Sequence, residues 1–364
     1  MFCRLIVWFL GKVACTMVLL SMLPKTIEDV NQLDDLMSKP SAALVEMMKR
    51  LDGDVMVLGI GGKMGHTLGR QVMRAIVAAG ITRRIIGVSR FSDRHQRTLI
   101  EESGVETIQC DLLDPNQVAQ LPDAKNIVFM AGRKFGTGGN EHLTWAMNTV
   151  VPAIVARRFH RSRIVVFSTG CVYPLVNPAN GGCAETEPAD PVGEYAVSCL
   201  GRERIFEHFS RTFGTPVSII RLNYAIDMRY GVLHDIARSI IVSGSADISV
   251  PAFNAIWQGD ATDQILRSLD HCNSPPFVLN VTGPEQLSTK TVALKLSRLL
   301  CREVTFKGPE GSAALLSDSA KARSLFGQPS VSSDTLIAWT ADWVKNGGAS
   351  LEKPTHFEVD NGKF

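Results

Sequence analysis

The 364-residue sequence predicts an α/β protein, a doubly wound parallel sheet with a smaller C-terminal lobe. Three observations predict it. Apolar runs of strand length recur from Asp54 onward, stretches of helical length separate them, and the first run ends in a glycine turn that opens a helix. The composition, 45% apolar with a formal charge of +2, is that of an ordinary globular protein. It carries no basic excess for nucleic acid, and no long charge block, repeat or low-complexity tract.

Residues 1–23 form an apolar run with Arg4 and Lys12 inside it. As a membrane span it would place Lys12 at mid-helix, at a cost of about 2.5–3.5 kcal/mol. As a signal peptide its apolar core is broken at Gly11-Lys12, and no small-x-small cleavage site precedes Leu23. A translation start at Met22 is the third reading, so this segment is either an apolar leader or a mis-assigned start, and the cytoplasm is the expected location. A membrane-anchored form would rest on these residues alone. Eight cysteines without CxxC pairs or His/Cys ligand spacing fit a reducing compartment and predict no metal site.

Residues 24–52 read as a helical N-terminal extension, broken at Pro40-Ser41, with a second helix from Ala42 to Leu51. Residues 53–222 carry the alternation. Strands are expected at Asp54–Leu58, Arg84–Val88, Glu106–Gln109, Asn126–Met130, Arg163–Phe167 and Val217–Ile220, and the main helices at Met64–Ala79, His142–Phe159 and Tyr195–Thr212. Beyond Arg221 the pattern loosens, and residues 223–364 read as a lobe and tail interleaved with the preceding domain.

The turn after the first strand is Gly59-Ile60-Gly61-Gly62-Lys63-Met64-Gly65. Its GxxGxxG spacing, with Lys63 and Met64 inside it, lets the backbone approach a pyrophosphate, and the helix that follows offers free amides. The second strand ends in Ser89-Arg90 with no carboxylate until Asp93, a pattern that favours NADP over NAD, although a water-facing arginine is nearly as good an account.

A hydroxyl pair, Ser168-Thr169, ends the fifth apolar run, and Tyr195 opens the helix that follows. This arrangement resembles the extended short-chain dehydrogenase/reductase family, the NAD-dependent epimerase/dehydratase group, over residues 54 to about 300. The resemblance implies a Rossmann-like fold with a C-terminal substrate-binding lobe. It implies that Thr169, with Ser168 as the fallback, hydrogen-bonds the reacting oxygen while Tyr195 moves the proton. The family places a lysine one helical turn after the tyrosine, and here that position is Cys199. Without help only about 0.1% of a phenol is ionised at pH 7. Arg202 lies on roughly the same face and offers a partial substitute; a structural arginine is the competing reading.

By the same resemblance Asp111, next to Leu112, contacts the adenine, Ala131-Gly132 lie against the cofactor and Asn148 supports the site. Asp111 has a capping alternative, for which Asp114 is the better candidate. Asn223, Cys171 and Arg133 are the substrate-side candidates, with Lys134 and Arg229 available to neutralise a carboxylate or phosphate. Helices 142–159 and 195–212 are the implied homodimer surface. The function expected is an NAD(P)-dependent oxidoreductase or epimerase acting on a carbohydrate-like or sugar-acid alcohol. The alternative is a catalytically impaired dinucleotide-binding sensor or scaffold, which Cys199 supports.

Overall fold

The computed structural model describes residues 23–353 and 355–358, so the expectations for residues 1–22 lie outside the described part. Six strands fall close to where the apolar runs place them: β1 Val55–Leu58, β2 Ile85–Ser89, β3 Glu106–Gln109, β4 Asn126–Phe129, β5 Arg163–Thr169 and β6 Val217–Leu222. With the strand Phe277–Val281 they form a seven-stranded parallel sheet in the order 277–281, β6, β5, β4, β1, β2, β3. All four residues of β1 are buried, because helices cover both faces and leave no polar side for alternation. The order reverses between β1 and β4, which pair with each other in the middle of the sheet, and a Rossmann-like sheet opens its crevice at that point.

The helices are α1 Val30–Met37, α2 Ala42–Arg50, α3 Gly65–Ala79, α4 Arg94–Glu102, α5 Pro115–Ala119, α6 Glu141–Trp145, α7 Val151–Arg158, α8 Gly193–Phe213 and α9 Val232–Ser243. The helix expected over His142–Phe159 is α6 and α7 joined by a π turn at Ala146–Val150. Pro152 supplies no N–H at the start of α7, and the widened turn precedes it. Asp114 caps α5 by accepting from the Asn116 and Gln117 amides, as the sequence suggests.

The N-terminal helices are bound into both cores. Leu44, Met47 and Met48 of α2 pack with Leu68 and Val72 of α3, while Leu33 and Met37 of α1 join the C-terminal core around Trp257 and Trp339. Ser41 donates from its amide and its hydroxyl to Asp263, each at 2.9 Å. Trp257 is a core side chain, edge-on to Trp339 at 5.5 Å. No described helix is long and apolar enough to cross a membrane.

Candidate active site

The crevice is built first from the glycine turn. Gly59 has φ +92, and a Cβ there would lie 2.6 Å from the Ala131 backbone, so β1 and β4 approach only because this residue has no side chain. A Cβ on Gly65 would overlap the Ile60 carbonyl where α3 begins. The turn therefore stays tight, and the first amides of α3 face the end of the sheet.

Two adjoining cavities share Gly62, Met130 and Gly132. The smaller, about 180 Å³, is lined by Gly59, Gly62, Ser89, Arg90, Asp111, Leu112 and Ala131, which gathers most of the cofactor-side candidates in one place. Asp93 points elsewhere: its carboxylate caps α4 by accepting from the His95 and Gln96 amides. Asp111 accepts from the Leu113 amide at 3.0 Å.

The larger cavity, about 350 Å³, brings together Lys63, Met64, Arg133, Thr169, Cys171, Tyr195 and Asn223. Thr169 ends β5 and accepts from the Cys171 amide at 3.1 Å, and its hydroxyl acts on Tyr195 of α8 to favour the ionised phenol. Ser168, the fallback, donates instead to Glu203 at 2.5 Å, and that carboxylate also holds Arg221. Asn223 is 5% exposed and donates to the Leu315 carbonyl. No Asp or Glu lines this cavity among the described residues, whereas Lys63, Arg133, Lys134 and Arg202 all do.

Asn148 and Cys199 are fully buried and line neither cavity. Asn148, in the π turn, accepts from the Arg133 amide at 2.9 Å and from Arg202 Nη2 at 2.6 Å, and donates to Ser198 Oγ and the Arg133 carbonyl. Arg202 Nη1 donates to the Phe167 carbonyl at 2.7 Å. Its Nε has no hydrogen-bond partner among the described residues, although the side chain is buried. A Cβ on Gly132 would overlap this guanidinium, so the glycine after β4 makes room for it.

Burial governs the ionisation of these groups. It pushes the Tyr195 phenol well above its usual value; Cys199 and Cys171 act in the same direction, and the Arg202 charge and Thr169 hydroxyl oppose it. Burial pushes the Cys199 thiol up to about 11, against Arg202. Lys63 sits 3.5 Å from the centre of the Tyr230 ring, and burial brings it down to about 7 against the pull of Asp227.

Arg229 does not neutralise a ligand in this arrangement. It is held by Asp227 at 2.8 Å and by Asp34 of α1 at 2.9 Å, and it lines neither cavity. Glu185, on the loop before Tyr195, accepts from the Asn280 amide at 2.8 Å and ties down the end of the seventh strand. Tyr230 and Thr355 also line the larger cavity and carried no sequence signal. Thr355 is positioned by its amide and hydroxyl donating to Asp235.

Residues 55–226 match the model of the NAD dependent epimerase/dehydratase family. Among solved structures the chain is similar to MoeE5 in complex with UDP-glucose and NAD, at 17% identity and a TM-score of 0.65 over 81% of this chain and 99% of that one. It is similar to the UDP-glucuronic acid 4-epimerase of Bacillus cereus in complex with NAD, at 18% and 0.66 over 80% and 99%. The UDP-Glc/GlcNAc 4-epimerase of Campylobacter jejuni gives 19% and 0.66 over 81% and 100%. Identities this low establish the shared Rossmann-like fold. No curated protein matches the chain in sequence.

Proposed function

We propose that the protein is an NAD(P)-dependent oxidoreductase or epimerase that acts on the alcohol of a carbohydrate-like substrate, sugar acids included. The observation that carries this reading is that Thr169 and Tyr195 line one cavity, adjoining the glycine-turn cleft. The cleft fits a dinucleotide on the chain's own features: side-chain-free approach at Gly59 and Gly132, and a helix start at the turn with no side-chain cap on its amides. The turn and the start of α3 would hold the pyrophosphate, with Asp111, Leu112, Ser89 and Arg90 on the adenosine side. When bound, the dinucleotide supplies the hydride acceptor.

The protein's part is proton transfer and orientation. Thr169 holds the carbinol oxygen and Tyr195 takes or returns its proton. Asn223, Cys171 and Arg133 face the substrate, and a cationic lining without carboxylates suits a substrate bearing a carboxylate or phosphate. Residues 53–222 form the cofactor-binding part and residues 223–364 the substrate lobe in this reading. Exposed Leu143, Trp145 and Val150 near α6 and α7, with Val197 on α8, suit a homodimer surface.

NAD accompanies two of the similar structures, whereas the absence of a cleft-facing carboxylate at the end of β2 would also admit NADP. Competitive titration of the purified protein with NADH and NADPH decides between them, and failure to bind either would overturn the proposal. The sensor reading is favoured by one observation, the neutral Cys199 thiol one turn below a phenol whose burial opposes ionisation. Dinucleotide binding without oxidation or reduction of any alcohol in a sugar and sugar-acid panel would establish it.

A further inference from the structure

Tyr195 needs a cation if its phenolate is to be reached near neutral pH, and the structure offers only a few. Among the described residues, the groups that face it include Cys199 and Arg202 from α8, Thr169 at the end of β5, Cys171 in the turn that follows it, and Lys134 from the loop after β4. Both cysteines are neutral as thiols. Lys134 Nζ stands 5.8 Å from the centre of the Tyr195 ring and donates to the Thr355 carbonyl at 3.4 Å, and Lys63 is stacked on Tyr230.

Arg202 is placed differently. Seven residues after Tyr195, it lies two helical turns along the same face of α8. It is 5% exposed and fixed at both ends of its fork, by the Phe167 carbonyl from β5 and by Asn148 from the π turn. Asn148 cannot release it cheaply, because the same oxygen holds the Arg133 amide and the amide nitrogen holds Ser198. A guanidinium clamped in this way cannot reorient, and it lines the same cavity as Tyr195. Gly132 keeps the space open for it.

We propose that Arg202 is the positioning cation of this site: its fixed guanidinium favours the Tyr195 phenolate. The inference rests on the proposed role of Tyr195. It makes Cys199 a spacer that lets the arginine's field reach the phenol. It also means that Cys199→Lys would set a second cation against a buried one and lower activity rather than raise it.

The test compares Arg202→Lys, Arg202→Gln, Arg202→Met and Lys134→Met. Two quantities are read: the alkaline phenolate absorbance of Tyr195, taken as the difference between each variant and the same variant carrying Tyr195→Phe, and the pH profile of kcat. Arg202→Gln and Arg202→Met are expected to move the Tyr195 titration upward by about one unit, and the rising limb of kcat with it, a loss of about tenfold at any pH below that limb. Arg202→Lys should restore most of both, while Lys134→Met leaves the titration in place and raises KM. Arg202→Gln retains a donor for the Phe167 carbonyl, so it serves if Arg202→Met does not fold. An unmoved titration in a folded Arg202→Gln protein would overturn the inference, as would a titration that moves in Lys134→Met. Should the native protein bind dinucleotide without turnover, the proposed function fails, and the phenolate spectrum still judges Arg202 separately.

Discussion

Glu203 holds a buried ion pair beneath the site, and its removal has a calculable cost. The side chain is 2% exposed and accepts from Arg221 Nε at 3.1 Å, from Arg221 Nη2 at 2.8 Å and from Ser168 at 2.5 Å. Burial opposes the Arg221 charge, and Glu203 outweighs it, holding that guanidinium above the usual arginine value. Glu203→Met leaves a buried cation without its counter-ion, which costs about 3–5 kcal/mol. Arg221→Met leaves a buried carboxylate and should cost a similar amount. The double variant removes both charges, and a packed apolar pair of this kind is expected within about 1–2 kcal/mol of the native protein, because a buried ion pair barely recovers its own desolvation. Equilibrium urea denaturation of the four proteins measures the cycle. The double variant should be more stable than either single one, a coupling larger than any contact-free pair shows. Additive losses, or a Glu203→Met cost below about 1 kcal/mol, would refute the reasoning. Because Ser168 faces Arg221 across the paired strands β5 and β6, the single variants should also displace Thr169 and depress turnover.

The remaining predictions concern the crevice. Gly59→Ala forces a Cβ into the Ala131 backbone at a positive φ, and dinucleotide affinity should fall by more than about tenfold, read by quenching or enhancement of NADH fluorescence; an unchanged Kd would contradict the tight-turn account. Lys63, held at about 7 against its usual 10.5, is charged below that value and neutral above it in the folded protein. Affinity for the anionic dinucleotide should therefore weaken as pH rises through about 7, and Lys63→Met should remove that dependence. Because the unfolded chain keeps the lysine protonated up to about 10.5, unliganded stability at this position should rise with pH across the interval, a slope absent from Lys63→Met in pH-dependent denaturation.

Much of the fold was legible because most of its strands are short apolar runs, β3 with its exposed Glu106 and Gln109 excepted, and its turns carry glycine where backbone must approach backbone. The glycine turn and β1 to β6 follow from local pattern, whereas bringing Thr169 and Tyr195 together was an expectation of the family resemblance. The strand Phe277–Val281 was not foreseen, since it begins half-buried and follows two prolines rather than a helix. Arg202 shows the limit more sharply. Its spacing from Tyr195 puts it on the right face, but its partners lie on β5 and the π turn, 35 and 54 residues away. Arg229 looks like a ligand for anions until Asp34, 195 residues earlier in the chain, is brought against it. Thr355 reaches the cavity from a tail whose composition gives no hint of contact with Asp235. In each case the deciding contact is long-range, and a single sequence holds no periodicity that records it.

The most direct test of the account is single-turnover spectroscopy of the dinucleotide-loaded protein with a panel of sugars and sugar acids, comparing the native chain with Tyr195→Phe. The account predicts a change in nicotinamide absorbance for at least one alcohol in the native protein, its rate lowered by about a hundredfold or more in Tyr195→Phe with Kd for the dinucleotide unchanged. An equal rate in both proteins would contradict the assignment of proton transfer to Tyr195.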